Sequence, residues 1–168
     1  MDIRIRPGAE SDAEAVATLH TASWRTAYAS IMPESYLNGA LADDHKALWH
    51  GRLTAERSAG DLFIAESDAE ILGFIYLIPS ADGRVLIDNL HVRPALERGG
   101  IGTLLLRHGF DWAAAEYPDR QVYLEVLEAN TPAIAFYKRH GGRPGEPRTA
   151  HFPQGFDVQE LEITWPHR

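Results

Sequence analysis

LIDNLHVRPALERGGIGTLLL, running from Leu86 to Leu106, is the stretch on which the fold of this chain turns. It opens as an apolar strand, passes through Arg93-Pro94, reaches a glycine-rich turn at Gly99-Gly100-Ile101-Gly102 and runs straight into a leucine-rich helix. A strand, a glycine turn and a helix N-terminus together make an anion site. The N–H groups of the first helical turn have no intrahelical partners, the helix dipole adds partial positive charge there, and glycine lets a phosphate come close to the backbone. A P-loop needs Lys-Ser/Thr after its last glycine, where this chain has Thr103-Leu104. A dinucleotide fingerprint needs G-x-G-x-x-G, a spacing these glycines do not have. What remains is a phosphate loop of a third kind, or a tight strand-to-helix turn that holds no ligand.

Composition narrows the setting. The 168 residues suit one domain with its own core, expected over residues 1–168. No apolar run approaches the roughly 20 residues that span a bilayer, so no membrane partner is expected. Met1-Asp2-Ile3-Arg4 leads directly into strand-like alternation, and no signal peptide is expected. The chain has no cysteine, which excludes disulfides, cysteine-ligated zinc and a cysteine nucleophile, and fits a reducing, cytoplasmic setting. A formal net charge of −8 argues against nucleic acid as a partner, because phosphate backbones call for a basic face. The same charge suits a cationic amine, although a solvated acidic surface accounts for most of it. His91, His140 and His151 show no metal-ligand spacing, and no metal site is expected.

Outward from the central stretch, the pattern gives a strand at Ile3–Arg6, alternating with period two and broken by Pro7-Gly8. Ser11-x-x-Glu14 reads as a capping box opening a helix through about Ala29. On it His20, Trp24 and Tyr28 lie four apart. This stripe reads either as core or as an aromatic wall of an acceptor pocket, since Trp and Tyr combine apolar area with a polar tip. Helical pieces follow at Glu34–Leu41 and Asp43–Ala55. Strands at Leu62–Ala65, Ile71–Ile78 and Arg84–Val92, separated by turns at Ser67–Glu70 and Ala81–Gly83, form an antiparallel meander. After the helix Gly102–Glu116 come a strand at Val122–Val126, a helix at Ala133–His140 begun by Asn130-Thr131-Pro132 and stopped by Gly141-Gly142, a loop at Pro144–Gly155 and a last strand at Val158–Trp165. This order is α+β, with one mixed sheet.

Two signatures carry a resemblance. Val92-x-Pro94, then Gly100-x-Gly102 ahead of Leu104-Leu105, resembles the acyl-CoA pyrophosphate loop of the GNAT superfamily of N-acetyltransferases, usually Gln/Arg-x-x-Gly-x-Gly/Ala. Glu97 stands at its first position, a departure. A carboxylate beside a pyrophosphate is unfavourable unless it points away, and Arg98 is placed to compensate. Leu124-Glu125-Val126, Asn130, Ala133, Ala135-Phe136-Tyr137 and Gly141 resemble the second GNAT signature, with a local match to its ribosomal-protein alanine N-acetyltransferase branch. Ser23-Trp24-Arg25-x-x-Tyr28 is similar to a bacterial GNAT subgroup of unassigned substrate. The two signatures cover roughly a third of the chain, and the predicted element order matches over the rest.

The resemblance implies a single GNAT-like domain with a mixed, mostly antiparallel sheet, splayed central strands and flanking helices. Acetyl-CoA would be the acyl donor and a primary amine, on a small molecule or a peptide N-terminus, the acceptor. The pantetheine arm would bond to the backbone of Leu90, His91 and Val92. The pyrophosphate would sit on N–H groups of Arg98, Gly99, Gly100, Ile101, Gly102 and Thr103, with Asn130 against the CoA arm. Arg93, Arg98, Lys138 and Arg139 are placed to meet phosphates or to be solvated surface. Tyr137 occupies the general-acid position. Glu125 matches the base of the alanine acetyltransferase branch. Many relatives carry that base at the position of Leu86, which this chain lacks, so Asp88 on the same strand is the second candidate and a water relay the third. Each carboxylate has a plain structural reading as well. Trp24 and Tyr28 would line the acceptor pocket. Similar proteins are often dimers.

The chemistry asks for such groups. An alkylammonium has a pKa of about 10 and must lose a proton before it attacks, while a thiolate with a pKa of roughly 8 to 9 leaves more easily beside a proton donor. The tetrahedral oxyanion needs an N–H, for which the strand near Leu90 is placed. Two other classes compete: an acyl-CoA-binding sensor without turnover, and a CoA-dependent O-acyltransferase.

Overall fold

The structure, a computed structural model, describes residues 1–54 and 60–166. In chain order it has β1 (Arg4–Pro7), α1 (Ala13–Ala27), α2 (Glu34–Leu37), α3 (Leu41–Thr54), β2 (Asp61–Ser67), β3 (Glu70–Pro79), β4 (Val85–Val92), α4 (Ile101–Glu116), β5 (Val122–Leu127), α5 (Thr131–Arg139), β6 (Arg143–Pro144), β7 (Arg148–Phe152) and β8 (Phe156–Thr164). The strands form one sheet in the order β1-β2-β3-β4-β5-β8-β6, with β7 also on β8. Every pairing is antiparallel except β4 with β5. The fold is the expected single domain, a mixed and mostly antiparallel sheet flanked by helices.

Strand alternation divides the core. Leu62, Ile64, Phe74 and Tyr76 pack with Val16, Leu19 and the fully buried Trp49 under α1 and α3. Phe63, Ala65, Ile75, Leu77, Val85 and Ile87 pack on the other face against Ile101, Leu105, Leu106 and Phe110 of α4, where Tyr137, Ile163 and Trp165 extend the cluster. Gly109 lets α4 lie close to the sheet, since a Cβ there would stand 2.8 Å from Ile75 Cδ1. Both faces of the central strands are therefore dry, and β2 and β3 read as near-continuous apolar runs.

Three readings from the sequence change. The Ser11–Glu14 capping box does not form. A 3₁₀ turn at Glu10–Asp12 precedes α1, the Asp12 carboxylate accepts the Ala9 N–H at 2.8 Å, and Arg6 donates to the same carboxylate at 2.9 Å from each of two nitrogens. An arginine on the neighbouring strand thus decides which acid serves the turn. The second helical piece is a single turn, Glu34–Leu37, and the predicted end of the third at Ala55 lies outside the described residues. The Pro144–Gly155 loop contains β6 and β7. Its prolines and glycines hide an alternating Arg148–Phe152 strand, which turns through Pro153-Gln154-Gly155 into β8. Gly155 sits at φ 93° in that turn, where a side chain would be strained.

Candidate active site

The site begins where the sheet fails to close. β4 and β5 share two pairs, Val85 with Val122 and Leu86 with Tyr123, and then diverge. From Ile87 onward one backbone edge of β4 has no β5 partner among the described residues. A cavity of about 270 Å³ fills the wedge on the α1 side. Its walls are Leu86, Asp88, Asn89 and His91 from β4, Glu125 and Val126 from β5, Trp24 and Tyr28 at the end of α1, Met32, Phe152 of β7 and Glu160 of β8.

A bulge shapes the β4 wall. Tyr76 pairs with Asn89 and Leu77 with Ile87, so Asp88 is the extra residue. Before it, Val85 and Ile87 face α4; after it, Leu90 and Val92 do, and Asn89 and His91 turn towards α1 and α3. Strict alternation would have placed Asn89 and His91 with Ile87. The bulge is why Asn89 and His91 join Leu86 and Asp88 on the cavity side of one short strand.

These side chains are anchored from below. Ser23 and His91 are joined through Oγ and Nδ1 at 2.8 Å. Arg52 of α3 donates to the Asn89 side-chain oxygen at 2.8 Å and to the Asp88 carboxylate, while its guanidinium lies over the rings of Trp49 (4.8 Å) and Tyr76 (4.3 Å). His20 stacks on His45 with centroids 3.6 Å apart, tilts against His91 at 4.6 Å and accepts the Trp49 indole N–H at 3.0 Å. Burial, then the neighbouring imidazoles and, for His20, Arg52, drives His20 well below the usual imidazole range and His91 down to about 3. Burial lowers His45 to about 4. A proton acceptor works best near the operating pH, so a group held at about 3 is a neutral wall rather than a base.

The carboxylates are the ionisable wall. Glu125 is raised above the ordinary glutamate value, first by burial and then by Glu160, with Glu162 and Asp88 adding and Arg148 opposing. Arg148 stands 3.1 Å from Glu125. Asp88 is held in an ion pair with Arg52.

Helix α5 connects this cavity to the glycine turn. Tyr137 is buried, edge-on to Trp165 at 5.9 Å, and burial pushes its phenol far above the usual range, the nearby Tyr28 adding to the effect. It stays protonated at any working pH, as a proton donor must. Tyr28, raised by its own burial, receives the Asn130 amide, whose oxygen accepts the Ala133 N–H at 3.4 Å. Asn130, expected against the CoA arm, is thus the N-cap of α5 and the tie to α1 in this structure. At the glycine turn Gly100 takes φ 84° and begins α4, and Arg98 takes φ 66°, a left-handed geometry that a side chain resists. The first-turn N–H groups of Ile101, Gly102 and Thr103 have no intrahelical acceptor. Gly102 admits α5 closely, since a Cβ there would stand 3.3 Å from Phe136 Cζ. His140 Nδ1 donates to the Phe136 carbonyl at 2.8 Å, so its Nε2 accepts the Thr103 hydroxyl at 3.1 Å. Arg93 is turned to β3, donating to the Ile71 carbonyl at 2.7 Å and to Glu70 at 3.2 Å.

A sequence profile described as "Acetyltransferase (GNAT) family" matches residues 16–142. The chain belongs to that family. The likeness extends beyond that span: an uncharacterized N-acetyltransferase, YuaI, of Bacillus subtilis is 25% identical over 98% of this chain and 93% of its own. PaiA N-acetyltransferase of Thermoplasma acidophilum, solved in complex with coenzyme A, superposes with a TM-score of 0.76 at 21% identity over 95% of this chain and 98% of its own. The ribosomal-protein-S18-alanine N-acetyltransferase of Escherichia coli superposes at 0.73 and 18% identity, over 99% and 94% of the two chains. At such identities these two structures speak for the fold alone. Among the described residues no helix is long and apolar enough to cross a membrane, and no group of three or more His, Asp or Glu is arranged to hold a metal.

The structure brings Trp24, Tyr28, Asp88 and Glu125 around one cavity, and neither Tyr137 nor the glycine turn is among its lining residues. Sequence reasoning missed Asn89, Arg52, Arg148, Phe152 and Glu160. Asn89 depends on a bulge, and Arg148, Phe152 and Glu160 on a hairpin register. Only the alternation of Arg148, Ala150 and Phe152 signalled the latter.

Proposed function

We propose that this GNAT domain moves the acetyl group of acetyl-CoA to a primary amine by direct attack. The observation that carries the reading is the wedge. The two-pair limit of β4 and β5 leaves a backbone edge unpaired on the side of the glycine turn and opens, at the same place, a cavity walled by carboxylates and aromatic rings. The donor's pyrophosphate binds N–H groups from Arg98 to Thr103, and its pantetheine arm pairs with the free edge at Leu90–Val92. The amine enters between Trp24, Tyr28 and the acidic strands. Glu125, raised in proton affinity, takes the proton that frees the amine lone pair, with Asp88 as the second candidate. An N–H near Leu90 faces the oxyanion, and Tyr137, protonated while the substrates bind, gives its phenol proton to the sulfur as the C–S bond breaks and regains a proton from solvent. The acidic rim favours a cationic acceptor, either a small amine or a peptide N-terminus. Zero cysteines fit a cytoplasmic setting.

The test is free-thiol release from acetyl-CoA across a panel of monoamines, polyamines, amino acids, N-terminal peptides and matched alcohols. Amine-dependent release is expected. Release with alcohols alone would make the chain an O-acyltransferase. Saturable CoA binding without release across the panel would make it a sensor.

A further inference from the structure

The cationic side chain nearest Glu125 comes from the hairpin that the sequence hid. Three strands place it. Arg148 of β7 lies opposite Glu160 of β8, and Glu162, two residues on and so on the same face, lies opposite Glu125 of β5. A long side chain at Arg148 therefore crosses β8 and reaches β5. Its Nε lies 3.2 Å from Glu160, one terminal nitrogen 3.1 Å from Glu125 and the other 3.9 Å from Glu162. The other acids near Glu125 have their own counter-ions: Glu162 is gripped by Arg84 at 2.9 and 3.1 Å, and Asp88 by Arg52. Glu125 and Glu160 both line the cavity and share Arg148.

We propose that Arg148 is the positioning residue of the proton acceptor: its guanidinium, divided between Glu125 and Glu160, fixes the Glu125 carboxylate at the cavity wall and sets how firmly it holds a proton. The proposal rests on the reading of Glu125 as the base. An undivided cation would lower the proton affinity of Glu125 and weaken it as a base, whereas without a cation burial and the acidic neighbours would raise that affinity further. Sharing with Glu160 places it between those limits. The groups facing Glu125 are Arg148, Glu160, Glu162 and Asp88, and Arg52 and Arg84 compensate the last two. Two opposite substitutions follow. Arg148→Gln removes the attraction, and Glu160→Gln removes the competitor for it.

The experiment titrates the Glu125 side-chain carboxyl carbon by NMR in the full chain, with its resonance assigned by loss in Glu125→Gln. The midpoint is expected to rise by about one pH unit in Arg148→Gln, to return most of the way in Arg148→Lys and to fall in Glu160→Gln. The acid limb of kcat/KM, measured with whichever amine of the panel releases thiol fastest, is expected to move the same way in each variant. A midpoint and limb unmoved in both Arg148→Gln and Glu160→Gln would overturn the proposal, with the charge-keeping Arg148→Lys as the control for the fold. Failure of the underlying reading looks different: Glu125→Gln would keep the rate and the acid limb of the wild type, whatever the NMR midpoints do.

Discussion

The glycine turn and the cavity are built by different means. The turn is made of backbone. Gly100 and Arg98 adopt left-handed geometry, Gly102 admits Phe136, and the groups offered to an anion are N–H groups that every residue type carries. The cavity is made of side chains from α1, β4, β5, β7 and β8, held by arginines from other elements. A backbone site constrains sequence at fixed spacing, because only certain residues permit the conformation. A side-chain site constrains only what meets in space. We expect the donor to be read by the first and the acceptor by the second.

The sharpest break of that division is at α5, whose cap Asn130 meets Tyr28 of the cavity wall and whose Phe136 packs on Gly102. Tyr137→Phe should lower kcat about 100-fold and leave the KM for acetyl-CoA within about twofold, because it removes a proton donor and keeps the ring packed on Trp165. Steady-state kinetics with the fastest amine checks it, and a rate within twofold of wild type would remove Tyr137 from the chemistry. Next comes Trp24→Ala, which should raise the KM of the amine about tenfold and leave that of acetyl-CoA unchanged. Equal rises in both would merge the two regions into one site. Gly100→Ala should do the reverse. A Cβ at φ 84° costs about 1 to 2 kcal/mol, seen as a lower melting temperature and a weaker acetyl-CoA KM, with the amine KM kept.

The difference in construction explains what could be read in advance. The meander, the glycine turn, α4 and α5 follow from spacing and turn residues, and the splay followed from the family resemblance. Glu125, Asp88, Trp24 and Tyr28 were named, and they share a cavity. The bulge at Asp88 was not legible, since its sequence carries no glycine or proline to mark it, and without it Asn89 and His91 point to the wrong face. The β7 strand was masked by the prolines and glycines around it, so Arg148 could not be placed beside Glu125. The Ser11–Glu14 cap failed because Arg6, from another strand, recruited Asp12.

A last expected effect concerns the floor of the cavity. His45 and His91 have native values of about 4 and 3 against 6.5 for the free side chain, so the unfolded chain binds more protons between those values. Their contribution is complete above pH 6.5 and is lost as pH falls towards 4 and 3, with a slope of up to about 1.4 kcal/mol per pH unit for each histidine. Urea denaturation from pH 7 to pH 4 should show stability falling on acidification, with a shallower fall in His45→Gln. An identical slope in the variant would mean that His45 is not held neutral.

The measurement that meets the central claim most directly is a backbone and indole ¹H–¹⁵N NMR titration of the wild type with coenzyme A. The amides of Leu90–Val92 and Arg98–Thr103 should shift together along one binding curve while the Trp24 indole stays in place. Saturable binding that moves the Trp24 indole and spares the amides from Arg98 to Thr103 would contradict it, by putting the donor in the cavity assigned to the amine.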